Sequence, residues 1–97
     1  MARARLGDVV LAESDQTISI EGVVYFPRDA VRMELLSKTA TRTACPWRGV
    51  ASYFTVRVDE TEIANAAFSY ETPKKRAQRI SGWIGFWKGI KVEGAEE

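Results

Sequence analysis

A mainly β domain of twisted or coiled antiparallel sheets is predicted by three observations. Apolar and polar residues alternate with a period of two, helical periodicity never persists beyond about ten residues, and glycines at 82, 85 and 89 punctuate the last stretch. The length of 97 residues allows one core, so residues 1–97 are read as a single domain ending in a solvated acidic tail over 93–97. A hydrophobic share of 45% and a charged share of 28% place the chain among ordinary globular proteins and argue against disorder and membrane spans.

Val9-Val10-Leu11 reads as a strand, Ser14-Asp15-Gln16 as a turn and Thr17–Glu21 as a second strand, which together suggest a hairpin. Gly22 permits a bend before Val23-Val24-Tyr25-Phe26. Pro27 can open a helical turn over residues 27–31, because proline suits the first helical position and Asp29 favours the positive end of the dipole. Val31, Met33 and Leu35 then alternate with Arg32 and Glu34 as a short strand, with a helix through Leu36 as the alternative. Ser37–Thr43, polar and rich in threonine, is a connecting loop or an edge segment.

The clearest strand carries Val50, Ser52, Phe54, Val56 and Val58 on one face and Ala51, Tyr53, Thr55 and Arg57 on the other. Asp59–Glu62 is a charged connection, and Ala67–Glu71 a further strand that Thr72-Pro73 stops, since proline lacks the ladder donor. Lys74–Arg79 can form one helical turn. Ile80, Ile84, Phe86, Ile90 and Val92 share one face of a long final strand whose glycines let it bend and join two sheets.

Absences bound the chemistry. Without histidine there is no Ser-His-Asp triad, no His-assisted thiol and no zinc–histidine site, and one cysteine allows neither an internal disulfide nor a four-cysteine cage. No metal and no cofactor are expected. The short apolar run Val9–Ala12 is too brief for a signal core or a spanning helix, so no membrane is expected, and a lone thiol fits the reducing cytoplasm. Fourteen Lys/Arg against thirteen Asp/Glu leave a net charge of +1, which gives no global signal for nucleic acid. The charge is uneven along the chain, however. Leu35–Val58 holds four basic residues and no acidic one, and Thr72–Val92 holds six basic residues and no acidic one. Should the two stretches meet, they create a local positive field that the sum conceals, the favoured alternative being a mixed surface in which Glu21, Asp59, Glu60, Glu62 and Glu71 neutralise their neighbours.

Cys45-Pro46-Trp47-Arg48-Gly49 is the most distinctive string. Pro46 stiffens it, Gly49 lets it turn sharply, and Arg48 can favour the thiolate of Cys45, although without a histidine base or a second cysteine a buried, inert thiol is the favoured reading. Trp47, Tyr53, Trp83 and Trp87 lie off the most apolar face, where aromatics stack on a ligand or fill the layer between sheets. Basic residues interleaved with aromatics over Arg79–Lys88 are suited to single strands, without an RNP-like motif to accompany them. Arg32 and Glu34, one pleat apart, either grip a ligand or form a plain ion pair.

Val24-Tyr25-Phe26-Pro27, Arg32–Leu36, Cys45–Gly49 followed by Ala51-Ser52-Tyr53, and Ile80-Ser81-Gly82 with Phe86 occur in the order and spacing of a bacterial and fungal family, the domain-of-unknown-function 427 family. The resemblance runs from about Gly22 to Val92. It implies a β-tent-like complex of coiled sheets with one or two short helical turns. The family's label suggests nucleotidyl transfer, for which this chain has no paired carboxylates, and where relatives carry Trp-x-Tyr before the proline it has Phe68-Ser69-Tyr70. Some β-tent modules bind small molecules or peptides between their sheets. The leading expectation is thus a metal-free module that binds a small polar or anionic ligand through Arg32, Glu34, Cys45, Trp47, Arg48 and Tyr53. The alternatives are thiol chemistry at Cys45 or nucleotidyl transfer, and an interaction module or homodimer using Trp83 and Trp87.

Overall fold

The computed structural model describes residues 1–94. Nine strands among them form two antiparallel sheets. The strands β1 (Ala2–Leu6), β2 (Val9–Ser14) and β9 (Lys91–Glu93) make a three-stranded sheet in the order β2-β1-β9. The strands β3 (Ile18–Ile20), β4 (Val23–Phe26), β5 (Leu36–Cys45), β6 (Gly49–Val58), β7 (Thr61–Ser69) and β8 (Ile84–Phe86) make a six-stranded sheet in the order β3-β4-β8-β7-β6-β5. Three 3-10 turns, Arg28–Ala30, Met33–Leu35 and Lys75–Ile80, complete the described elements, against the one or two expected. The fold class is mainly β, as the alternation predicts.

The expected hairpin between Val9–Leu11 and Thr17–Glu21 is not formed. β2 pairs instead with β1, placing Ala4 opposite Ala12, and β3 pairs with β4, placing Ile18 opposite Tyr25. Two tight turns decide this. Gly7 has φ +59°, and Glu21-Gly22 have φ +51° and +82°, the left-handed pair that a two-residue hairpin turn requires. The three-residue Ser14–Gln16 segment then only links one hairpin to the next. β1 escapes the hydrophobic pattern because its inward residues are Ala2 and Ala4, small and weak as a signal, yet 3% and 0% exposed. Its outward arginines pair across the sheet, Arg3 with Glu13 and Arg5 with Glu93.

Val31–Leu35 is likewise not a strand. The Arg32 N–H donates to Leu11 O at 2.8 Å and the Leu35 N–H to Arg32 O at 3.1 Å, which closes a 3-10 turn whose Met33 and Leu35 pack on the core. The threonine-rich stretch after it is the edge segment of the two options offered, the ten-residue edge strand β5. β6 follows the predicted alternation, except that Val50 is 52% exposed at its start. The charged connection shrinks to Asp59-Glu60, and β7 runs over Thr61–Ser69 rather than 67–71.

The long final strand is divided. Ile80 ends the third 3-10 turn, β8 lies in the larger sheet, and after a turn with Lys88 at φ +49° and Gly89 at φ +87° the chain enters the smaller sheet as β9. The segment therefore joins the two sheets, as its glycines suggest. Glu93, expected in the tail, belongs to β9 and pairs with Arg5, while 95–97 fall outside the described residues.

Two cores result. Leu11, Phe26, Phe54, Val56, Ile84 and Phe86 belong to the main core, to which both sheets contribute. On the other face of the larger sheet, Tyr25, Ala51, Tyr70, Ala77 and Ile80 form a second cluster, closed by the Lys75–Ile80 turn. Strand pleating accounts for the division: along β4, Val24 and Phe26 go to the first core and Val23 and Tyr25 to the second. Ile80 accordingly leaves the face assigned to it and packs with the second cluster.

Candidate functional site: a sheltered arginine beside a cysteine turn

Residues 46–48 turn the chain from β5 into β6. Gly49 is required there twice over. Its φ is +111°, and a Cβ would lie 3.2 Å from the backbone nitrogen of Lys74. That close approach lets the Lys74 N–H donate to Arg48 O at 2.8 Å, docking the turn on the segment that leads into Lys75–Ile80.

The side chain of Arg48 is only 15% exposed. Its Nη1 lies 3.6 Å from Cys45 Sγ, its Nη2 3.0 Å from Glu21 Oε2, and its Cζ 6.0 Å from the centre of the Tyr70 ring. Its Nε is sealed from solvent without a hydrogen-bond partner. Glu21, by contrast, is 72% exposed and reaches in from the β3–β4 turn. Half-buried Cys45 has its thiol held below the ordinary range, first by the backbone N–H groups of Arg48 and Trp47 and then by the guanidinium. Burial pushes the Tyr25 phenol up to about 12 and raises that of Tyr70, so both stay neutral beside the arginine.

Trp47 stands out at 58% exposure with the Arg76 guanidinium 4.5 Å above its ring. Tyr53, on the same face, shares a hydrogen bond with Thr43 Oγ1 at 2.9 Å and packs with Phe68 and Trp87, ring centres 6.0 and 6.3 Å away. Trp83 packs against the second cluster, whereas Trp87 is 45% exposed and donates from Nε1 to Asn65 O, so the two do not present matching exposed rings.

Cys45, Trp47, Arg48 and Tyr53 thus lie on one side of the larger sheet. Arg32 and Glu34 do not join them. They form an exposed ion pair of 3.1 Å just before β5, at the far end of a strand that spans roughly 30 Å before it reaches Cys45. The acid-poor stretches do meet, through the Lys74–Arg48 hydrogen bond and the Arg76–Trp47 stack. None of Lys74, Lys75, Arg76 and Arg79 has a carboxylate partner among the described residues.

Sequence reasoning missed Glu21, Tyr25 and Tyr70 as parts of this arrangement. The Glu21-Gly22 pair carried a hairpin signal that could have placed the carboxylate at a turn, but its reach to Arg48 is a long-range contact without a local signature. A separate cleft of about 790 Å³, where β4, β8 and β9 approach one another, is lined by none of the six predicted residues.

None of the curated proteins compared with the chain matches it. A family model described as a domain of unknown function (DUF427) matches residues 1–97, so the match extends the resemblance seen over Gly22–Val92 to include β1 and β2. On a match covering its whole length, the chain belongs to the DUF427 family.

Proposed function

We propose that the Cys45–Gly49 turn is a receptor for a small anionic ligand, with Arg48 as its principal contact and Lys74 and Arg76 supplying the surrounding positive field. The observation that carries this reading is the state of Arg48: a sheltered guanidinium with an unpartnered Nε, capped by a carboxylate that is itself mostly in water. A sheltered, partly desolvated guanidinium binds an oxyanion more strongly than an exposed one, because less water competes for its donors. Glu21 occupies the position such an anion would take and swings away into solvent at little cost. Trp47, exposed and already stacked by a guanidinium, offers a flat surface to any planar part of the ligand. Tyr53 shapes the neighbouring surface. A cytoplasmic setting accompanies the proposal, in which a lone low-pKa thiol stays reduced. Titration calorimetry with sulfate, phosphate and AMP tests it. Saturable binding that Arg48→Met removes supports the reading, and identical heats for wild type and Arg48→Met overturn it.

A second reading, Cys45 as a nucleophile, is favoured by the N–H groups directed at its sulfur. Its test is alkylation of the native protein by iodoacetamide near neutral pH. No modification until the chain is unfolded removes this reading and leaves the anion receptor standing.

A further inference from the structure

Two tryptophans are left open to solvent on one face of the larger sheet, each beneath a cation. The Arg76 guanidinium lies 4.5 Å from the centre of the exposed Trp47 ring, and the Lys88 ammonium 4.8 Å from that of Trp87. They share a face because Arg76 belongs to the Lys75–Ile80 turn that closes the second cluster, while the Trp87 ring packs with Tyr53 and Phe68, which border that same cluster. Both rings are held in place. Trp87 Nε1 donates to Asn65 O at 2.7 Å, and the turn that carries Trp47 is docked by the Lys74–Arg48 hydrogen bond.

The surrounding charge is of one sign. A 3-10 turn repeats every three residues, so Ala77 and Ile80 are buried in the second cluster while Lys75, Arg76 and Arg79 are left exposed. Lys74 and Lys88 are exposed as well, and none of the five has a carboxylate partner among the described residues. Glu21 is engaged by Arg48, and Glu71 by Arg28 and Lys38. The net charge of +1 therefore conceals a basic, aromatic face, and the interleaving of basic residues with aromatics over Arg79–Lys88 contributes to it.

Cations call for a polyanion and exposed rings for flat partners. Single-stranded nucleic acid offers phosphates and unstacked bases in alternation, whereas a duplex keeps its bases inside and an acidic peptide brings charge without rings. Trp47 precedes Tyr53, the neighbour of Trp87, by six residues, so the two rings stand roughly 20 Å apart along β6. A strand of about four to six nucleotides covers that span.

We infer that this face binds single-stranded nucleic acid, with bases stacked on Trp47 and Trp87 and phosphates neutralised by Lys75, Arg76, Arg79 and Lys88. The inference goes beyond the anion receptor and does not depend on Arg48.

Fluorescence anisotropy of the full chain with a labelled ten-nucleotide oligothymidylate at low salt is the test, with an abasic oligomer of the same length as control. The oligothymidylate is expected to bind saturably and at least about tenfold more tightly than the abasic oligomer, through base stacking. Trp47→Ala should weaken the oligothymidylate about five- to tenfold and leave the abasic oligomer unchanged, whereas Trp47→Phe should keep most of the affinity. Lys75→Ala/Arg79→Ala should weaken both oligomers alike and flatten the salt dependence. Arg48→Met, the variant that removes sulfate binding if the anion receptor holds, should change oligothymidylate affinity by no more than about twofold. Absence of sulfate binding thus leaves this inference standing. It is overturned if the oligothymidylate does not bind, if the abasic oligomer binds as tightly, if Arg48→Met abolishes binding, or if polyglutamate or phosphatidylserine vesicles hold the protein as tightly as the oligothymidylate.

Discussion

Gly85 in β8 lies directly beneath the ring of Phe68, and replacing it with alanine is the sharpest structural test available. A Cβ at that position would sit 2.6 Å from Phe68 Cε1 and 2.9 Å from Cζ, well inside van der Waals contact. The partly buried ring is hemmed in on three sides, because Tyr25, Tyr53 and Trp87 stand beside it with ring centres 6.1, 6.0 and 6.2 Å away. Overpacking of this kind costs about 2 kcal/mol, which in a chain of this size lowers Tm by roughly 8–16 °C. Urea unfolding followed by circular dichroism measures the cost. Phe68→Leu removes the ring that the methyl strikes, so the double variant Gly85→Ala/Phe68→Leu should be more stable than the sum of the single losses by at least about 1 kcal/mol. Two results would refute the reasoning: a Gly85→Ala loss below about 0.5 kcal/mol, or strictly additive losses in the cycle.

Further outcomes are expected at three residues. Glu21→Gln should raise the affinity for sulfate about two- to fivefold, since it removes a competing carboxylate whose exposed ion pair is worth about 0.5–1 kcal/mol, and calorimetry that finds unchanged affinity would count against Glu21 as the built-in occupant. The Cys45 thiol should become reactive towards iodoacetamide at lower pH in the native protein than in the urea-unfolded chain, and Arg48→Met should shift that profile upward without abolishing the difference, because the backbone N–H groups remain. As the thiol is depressed on folding, it adds stability above the ordinary thiol range and loses that contribution as pH falls through its folded value, so the gap between wild type and Cys45→Ser should widen with rising pH. Tyr25 has the opposite sign: its phenol is raised from 10.0 to about 12, so its contribution is complete below pH 10 and is lost as pH rises towards 12, a fall that unfolding curves should show in wild type and not in Tyr25→Phe.

The strand content was legible because period-two alternation is strong where large apolar residues alternate with polar ones, as in β6. It failed at β1, where alanine supplied the inward face, and at Val31–Leu35, where alternation was real but the Arg32 N–H found Leu11 O. The pairing of β2 was misread because turn chemistry at Gly7 and at Glu21-Gly22 outranks proximity in sequence. The glycines of the final segment, by contrast, correctly indicated a strand passing between sheets. At the site, the Cys-Pro-Trp-Arg-Gly string was visible because proline and glycine mark a rigid turn, and the acid-poor stretches proved to adjoin there. Arg32 and Glu34 had only local alternation in their favour, and a ten-residue strand separates them from Cys45. The carboxylate of Glu21 and the phenols of Tyr25 and Tyr70 arrive from other strands, which no local pattern announces.

The proposed role of the sheltered Arg48 guanidinium is to receive an anion. The most direct measurement follows the Nε–Hε resonance of Arg48 by arginine-side-chain NMR during a sulfate titration. A saturable downfield shift of this resonance is expected as its unpartnered N–H gains an acceptor, larger in Glu21→Gln, with the exposed Arg57 paired to Glu62 unmoved. A stationary Arg48 signal, or equal unsaturated drifts of all arginines with salt, would contradict it.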